Sequence, residues 1–297
     1  MAGKLRTVLA AASLIFVLAC NRDSFEAIPP AYLSIPAIQL VVEPQNARAL
    51  GSAHSDITTA WVYVNGEPVG VFELPAVVPI AASGSKEVEI YPGITMNGIN
   101  ATRAIYVPYQ VLKENVELKA LDTVSLQDYT TRYTPSASVS IIEDFDQSGL
   151  NLSPTNRSDT SVFKTNDSTE IFVNPVQDED NGKAGKVVLD SERSFFELAT
   201  TESYSLPITG QSIYLEMTYK TEVPIIVGVI AKSPLGDVQA STLGLRPVDE
   251  WNKVYVNLIT EVLAYPDANS FQIYIAGEMP GNLQTATILL DNLKIVY

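Results

Sequence analysis

One cysteine, one histidine and two tryptophans stand among the 297 residues, and bases number 19 against 34 acids. Each scarcity excludes something. With Cys20 alone, no internal disulfide can form, so any folded domain must rest on apolar packing. With His54 alone, zinc sites of the usual kinds, which need several histidines or cysteines, are excluded. A catalytic triad would have to be sought around Gly51-Ser52-Ala53-His54-Ser55-Asp56, where closeness in sequence does not supply convergence in space. His54 reads as a loop histidine. No cluster of Lys and Arg can form the basic stripe that tracks a phosphate backbone, so nucleic acid is excluded as a partner. The net charge of −15 reads first as solubility. There is no glycine-rich phosphate loop with its lysine and no dinucleotide fingerprint. The acidic run Gln177-Asp178-Glu179-Asp180-Asn181-Gly182 lacks the spacing of an EF-hand loop, whose final glutamate would fall on Leu189. It reads as a polar hairpin turn.

Long apolar runs are also missing. Thr7 to Leu18 is apolar but too short to span a bilayer, which takes about 20 residues, and the polar Asn21, Arg22, Asp23 and Ser24 follow closely. Lys4 and Arg6 before this run, and small residues at its end, give the charged, apolar and small order of a secretory signal. The end of the run, Val17-Leu18-Ala19-Cys20, resembles the lipobox of bacterial lipoproteins. That resemblance implies a signal peptide over 1–19 and lipid on the thiol of Cys20, an anchor of several acyl chains and therefore effectively permanent. Asn21, where an aspartate would favour inner-membrane retention, implies the outer membrane, with its cell-surface and periplasmic faces both open. Residues 20–36, with Pro29, Pro30 and Pro36, read as the lipidated N-terminus and a linker. The triplets Asp122-Thr123-Val124 and Asp167-Ser168-Thr169 are similar to the O-glycan motif of Bacteroidota-type lipoproteins, a hint of lineage.

Beyond residue 37 the chain turns to short apolar or alternating runs punctuated by Gly, Pro and Asn, an all-β signature. Ala60-Trp61-Val62-Tyr63-Val64 and Val69-Gly70-Val71-Phe72 flank Asn65-Gly66, which predicts a hairpin. Further strands are expected at Ala76–Ile80, Glu87–Tyr91, Arg103–Val107 and Asn115–Leu118. Together they predict an N-terminal β-sandwich domain over 37–137, immunoglobulin-like or transthyretin-like. A second β-sandwich over 138–297 is expected from runs at Lys186–Leu189, Phe195–Leu198, Ser212–Tyr219, Ile225–Ala231, Lys253–Leu258, Phe271–Ala276 and Ile288–Val296. In it, Ile142-Glu143-Asp144-Phe145-Asp146, Trp251-Asn252-Lys253-Val254-Tyr255-Val256 and Leu290-Asp291-Asn292-Leu293-Lys294-Ile295 resemble the galactose-binding-like jelly roll. The resemblance covers Ser138 to Tyr297 and speaks to fold more than to function.

The same resemblance gives Glu143, Asp144 and Asp291 two readings. They are ligands of a structural calcium, which takes six to eight oxygens beside the first and last strands of such jelly rolls, or they are solvated strand-end carboxylates. No other cofactor is expected. Glu143 with Asp291 can be paired on paper as glycosidase carboxylates, but their separation is not in the sequence. Trp251, opening an alternating strand, is expected in the core, and Tyr204 and Tyr265 are not assigned to a face. The anchor, the tandem sandwiches and the lack of catalytic constellations favour a non-enzymatic protein-interaction module, for instance an accessory subunit of an outer-membrane barrel complex. The alternative is a cell-surface protein that binds glycans through the jelly roll.

Overall fold

The computed structural model of the protein describes residues 29–174, 179–180 and 182–297. The signal peptide and Cys20 lie outside the described residues, as do 177, 178 and 181 of the acidic turn at 177–182. Among the described residues, no helix is long and apolar enough to cross a membrane. The chain is all-β and builds two sandwiches.

The strands of the first are β1 (Ala31–Ile35), β2 (Gln39–Leu40), β3 (Ile57–Val64), β4 (Glu67–Glu73), β5 (Ala76–Ile80), β6 (Gly84–Thr95), β7 (Arg103–Ile105), β8 (Leu112–Leu118), β9 (Thr123–Val124) and β10 (Thr130–Thr131). A three-stranded sheet in the order β5-β1-β9 faces a five-stranded sheet in which β3 lies between β4 and β6, and β6 pairs both β7 and β8. Alternation drives the packing. Leu33, Ile35, Val78 and Ile80 from one sheet meet Val62, Val64, Ile90 and Val116 from the other in one core, and their polar neighbours face outward. The predicted hairpin forms at Asn65-Gly66: Val64 pairs with Glu67, and φ of 50° and 78° at the two turn residues match a turn that needs positive φ at both.

One expectation fails here. The segment 20–36, read as a linker, contains β1, whose Ala31, Leu33 and Ile35 are buried. The prolines at 29, 30 and 36 flank this strand without interrupting it, and its alternating apolar residues insert between β5 and β9.

The second sandwich comprises β11 (Val139–Glu143), β12 (Leu152–Pro154), β13 (Phe163–Thr165), β14 (Val173–Asn174), β15 (Glu179–Asp180), β16 (Ala184–Asp190), β17 (Phe195–Thr200), β18 (Tyr214–Thr221), β19 (Ile225–Ser233), β20 (Gly236–Leu245), β21 (Val248–Asn257), β22 (Ser270–Glu278) and β23 (Thr285–Val296). A six-stranded sheet runs β13-β16-β23-β18-β21 with β11 also on β23, and a five-stranded sheet runs β12-β17-β22-β19-β20. This is a jelly-roll sandwich. Its core takes Leu215 and Met217 from one sheet and Phe196, Leu198, Val227, Val229, Ile273 and Ile275 from the other. The first and last strands of the unit, β11 and β23, pair antiparallel from Val139↔Val296 onward.

The two sandwiches are locked by a buried charge. Glu216 on β18 is fully buried; one carboxylate oxygen accepts hydrogen bonds from Tyr106 Oη at 2.7 Å and Tyr133 Oη at 2.8 Å, both from the first sandwich and its following segment. Its other oxygen forms an ion pair with Lys253 Nζ at 2.8 Å and lies 3.7 Å from Lys294 Nζ. Lys294 also donates to the carbonyls of Leu50 and Ser52 at 3.1 and 3.0 Å. Around these charges Tyr109, Tyr214 and Tyr255 close a shared aromatic cluster. Burial by itself would raise the pKa of Glu216, but the charges of Lys253 and Lys294 and the bonds from Lys253 and Tyr106 outweigh it and bring it down to about 2.

Glu216→Gln leaves two buried ammonium groups without their counter-charge. The substitution is expected to cost about 3–5 kcal/mol of stability, read from urea unfolding; a loss below about 1 kcal/mol would show that the ion pair is dispensable. Acid acts on the same seam. His54, half-buried, shares a hydrogen bond of 2.9 Å between Nδ1 and Thr218 Oγ1, and burial, then the charges of Lys253 and Lys294, hold its pKa down at about 3. The unfolded chain takes up a proton near pH 6.5 that the native chain refuses, so stability falls from about pH 6.5 downward. Glu216 extends this loss from about pH 4.5 toward 2, while Asp56, raised by burial, acts in the opposite direction. Urea midpoints measured at pH 7, 6 and 5 should decline for the native sequence and hold level for His54→Asn.

Candidate functional site

A strand has two faces, and in the five-stranded sheet of the second sandwich both are occupied. Phe196 and Leu198 of β17 point inward to the core, so Phe195 and Glu197 stand on the outer face. On β22, Ile273 and Ile275 are core residues, which turns Tyr274 and Ala276 outward. β19 adds Ile226 and Gly228, and β20, after a register shift at Val227/Gly228, adds Gln239 and Ser241. Together with Arg157, from the loop after β12, these residues other than Gly228 line a cleft of about 280 Å³.

Its floor is built around Glu197. This carboxylate is 1% exposed although it lies on the face away from the core. It accepts from Thr155 Oγ1 at 2.7 Å and Gln239 Nε2 at 2.9 Å, and Arg157 Nη2 stands 3.2 Å from it. Arg157 Nη1 also donates to Gln239 Oε1 at 3.3 Å, and its guanidinium lies 5.7 Å from the centroid of the half-buried Phe195 ring. The result is an array in which an acid, an amide and a guanidinium hold one another in place.

The opposite wall is aromatic. Tyr274 lies across Gly228 of the neighbouring strand: a Cβ there would stand 2.6 Å from its ring and 2.2 Å from the Ala240 carbonyl. Only glycine leaves that room. The ring so placed brings Tyr274 Oη to 2.7 Å from Ser241 Oγ. Between them the two hydroxyls own two protons, and their mutual bond uses one, so the pair has a donor to offer into the cleft.

A larger groove of about 690 Å³ follows the seam between the sandwiches and is lined in part by Asn97, Asn252, Arg246 and Lys253. Lys253 is already engaged by Glu216, and Arg246 is exposed. The groove gathers no set that converges as the residues around Glu197 do.

The residues singled out in the sequence go elsewhere. Glu143 accepts backbone N–H groups of Phe145 and Asn151 at 2.8 and 2.6 Å. Asp144 accepts from Asp146 N at 3.2 Å, and Asp291, fully buried, from Asn292 N at 2.7 Å. Among the described residues no three His, Cys, Asp or Glu side chains are grouped to hold a metal ion. The expected calcium trio of Glu143, Asp144 and Asp291 is therefore not assembled: these carboxylates hold backbone turns where β11 and β23 bend. Phe145 and Asn292, with φ of 60° and 50°, are in those bends. Trp251 is half-buried, not a core residue; its Nε1 donates to the Ile171 carbonyl at 3.1 Å, and its ring meets Phe172 edge-on at 5.8 Å. His54 also packs on Phe172, with ring centroids 4.3 Å apart. Tyr204 and Tyr265 are half-buried against the core of the second sandwich.

No family model and no curated protein matches the chain. Among solved structures it is similar to the enzymatically active domain of a bacteriophage CBA120 tailspike protein, at 14% identity and a TM-score of 0.36, over 48% of this chain and 18% of that one. It is also similar to a structure described for promiscuous carbohydrate-binding modules of the β-sandwich superfamily, at 14% identity and a TM-score of 0.37, covering 79% and 83% of the two chains. A family 29 carbohydrate-binding module gives 14% identity and a TM-score of 0.31 over 54% of this chain and 91% of that one.

Gly228→Ala tests the geometry of the cleft wall. Overpacking against the Ala240 carbonyl and the Tyr274 ring is expected to cost about 1–3 kcal/mol in thermal or urea unfolding. An unchanged midpoint would mean that the ring does not depend on this glycine.

Proposed function

We propose that the chain is a membrane-tethered glycan-binding protein, anchored through lipid on Cys20 at the outer membrane and taking a sugar in the cleft above Glu197. The observation that carries this reading is a buried carboxylate on the solvent side of a sheet, held by Gln239, Thr155 and Arg157. Burying a charge on a face that solvent could reach has a cost, and an array fixed in advance loses little entropy when a ligand arrives. Sugar hydroxyls both donate and accept. Arg157 keeps N–H groups beyond those it spends on Glu197 and Gln239, and the Ser241–Tyr274 pair keeps one proton. Phe195 and Ile226, the latter 44% exposed, supply apolar surface for the C–H face of a pyranose ring.

The reading is non-catalytic. Glu197 is the one acid among the residues lining the cleft, whereas glycoside hydrolysis commonly uses two carboxylates. The other reading left open by the sequence, a protein-interaction subunit of an outer-membrane complex, finds no comparable converging set among the described residues.

Applied to a glycan array, the intact chain is expected to select a limited group of oligosaccharides. Arg157→Ala should weaken that binding by about tenfold to a hundredfold, the worth of one or two charge-assisted hydrogen bonds; because it also leaves the buried Glu197 without its counter-charge, the melting temperature is measured beside it and affinity is compared only at temperatures where the variant is folded. Retention of full affinity in Arg157→Ala, or an array without any binder, would overturn the proposal.

A further inference from the structure

The first sandwich repeats, on its own outer face, the device found in the second. Ala60, Val62 and Val64 of β3 enter the core, so Thr59, Trp61 and Tyr63 lie on the opposite face. Their partners across the ladder are Gly93, Tyr91 and Glu89 of β6. Trp61, Tyr63 and Tyr91 are all half-buried, and the two tyrosines pack edge-on with centroids 5.3 Å apart.

Gly93 again gives an aromatic ring its place. A Cβ there would fall 2.9 Å from both Cδ1 and Nε1 of Trp61 and 2.2 Å from Thr59 Oγ1. The indole edge and the threonine hydroxyl therefore converge over a residue with no side chain. Neither Trp61 Nε1 nor Thr59 Oγ1 has a hydrogen-bond partner, and Thr59 is 1% exposed. Most buried polar atoms are satisfied, so two orphans side by side are a cost that a ligand can remove. Thr59 also lines a cleft of about 370 Å³ that opens between Thr58, Thr95 and Asn100 and is bounded by Glu73 and Arg103, themselves an ion pair.

We propose that this face is a second sugar-binding site, in which Trp61, with Tyr91 beside it, stacks on the apolar face of a pyranose ring while a ring hydroxyl entering the cleft beside it satisfies Thr59 Oγ1, which lines that cleft, and lies next to Trp61 Nε1. The ligand class follows from the combination. A purely apolar partner would leave both polar atoms unmatched, and an anion would meet Glu73 and Glu89. A neutral polyol with one flat C–H face suits all of them. The site is independent of the cleft above Glu197 and uses none of its residues.

The chain holds two tryptophans, so Trp251→Phe leaves Trp61 as the sole indole reporter. Emission of this variant is to be followed while soluble β-glucan, mannan, xylan and neutral galactan are added in turn. A saturable change with one of them is expected, with half-saturation shifted upward at least fivefold by Thr59→Val, which keeps the shape and removes the hydroxyl. Repeating the titration with Arg157→Ala added should leave the Trp61 signal unchanged, which separates this site from the cleft of the second sandwich. Emission that ignores all four polysaccharides, or responds equally with and without the Thr59 hydroxyl, would overturn the second site. Loss of the signal on Arg157→Ala alone would assign all binding to the other cleft.

Discussion

The carboxylate of Glu216 is the point on which the arrangement of this molecule turns. Two ammonium groups from β21 and β23 and two tyrosine hydroxyls from the first half of the chain meet on it. Attraction in such a dry place is strong, and so is the cost of having brought the charges there. The net gain lies less in stability than in definition: no sliding or tilting of one sandwich against the other keeps all four partners. Main-chain contacts follow the same seam, with Asn97 N donating to the Tyr255 carbonyl at 2.9 Å and Asn257 N to Asn97 Oδ1 at 2.8 Å. Without a second cysteine to form a staple, the chain holds its two halves with a buried ion pair and a girdle of tyrosines.

Fixing the seam leaves the outer faces of the sheets exposed, and it is there that chemistry gathers. In each sandwich an aromatic ring lies over a glycine of the adjacent strand, Tyr274 over Gly228 and Trp61 over Gly93. A glycine within a strand weakens the strand by itself. A ring laid on it restores packing; Tyr274 is buried there, whereas Trp61 is half-buried and keeps part of its surface open. Around Tyr274, the polar groups satisfy one another through Glu197. Around Trp61, two of them remain unmatched. The proposed sugar sites grow out of one constraint, the alternation of a strand between core and solvent.

Much of the fold was legible because alternation is written directly in the residues. The Asn65-Gly66 hairpin, the strand at Ala76–Ile80 and the long runs in the second half stand where their apolar periods placed them. β1 was hidden because its flanking prolines read as a stalk, although Ala31, Leu33 and Ile35 already alternate. β20 had no apolar period at all, since most of Gly236–Leu245 is exposed or half-exposed, and it is the strand that brings Gln239 and Ser241 to the cleft. The site was therefore the least legible part. Its one signal was Glu197 between Phe196 and Leu198, an acid whose neighbours point the other way. The acids chosen instead, Glu143, Asp144 and Asp291, carried the pattern of a metal-bearing jelly roll, but backbone N–H groups in two bends occupy them.

The cleft above Glu197 is the central claim, and a crystal structure of the intact chain with its strongest oligosaccharide ligand tests it most directly. The sugar ring is expected to sit against Phe195 and Ile226, with hydroxyls bonded to Arg157 and to the Ser241–Tyr274 pair. A bound sugar whose contacts all lie away from these residues would contradict it.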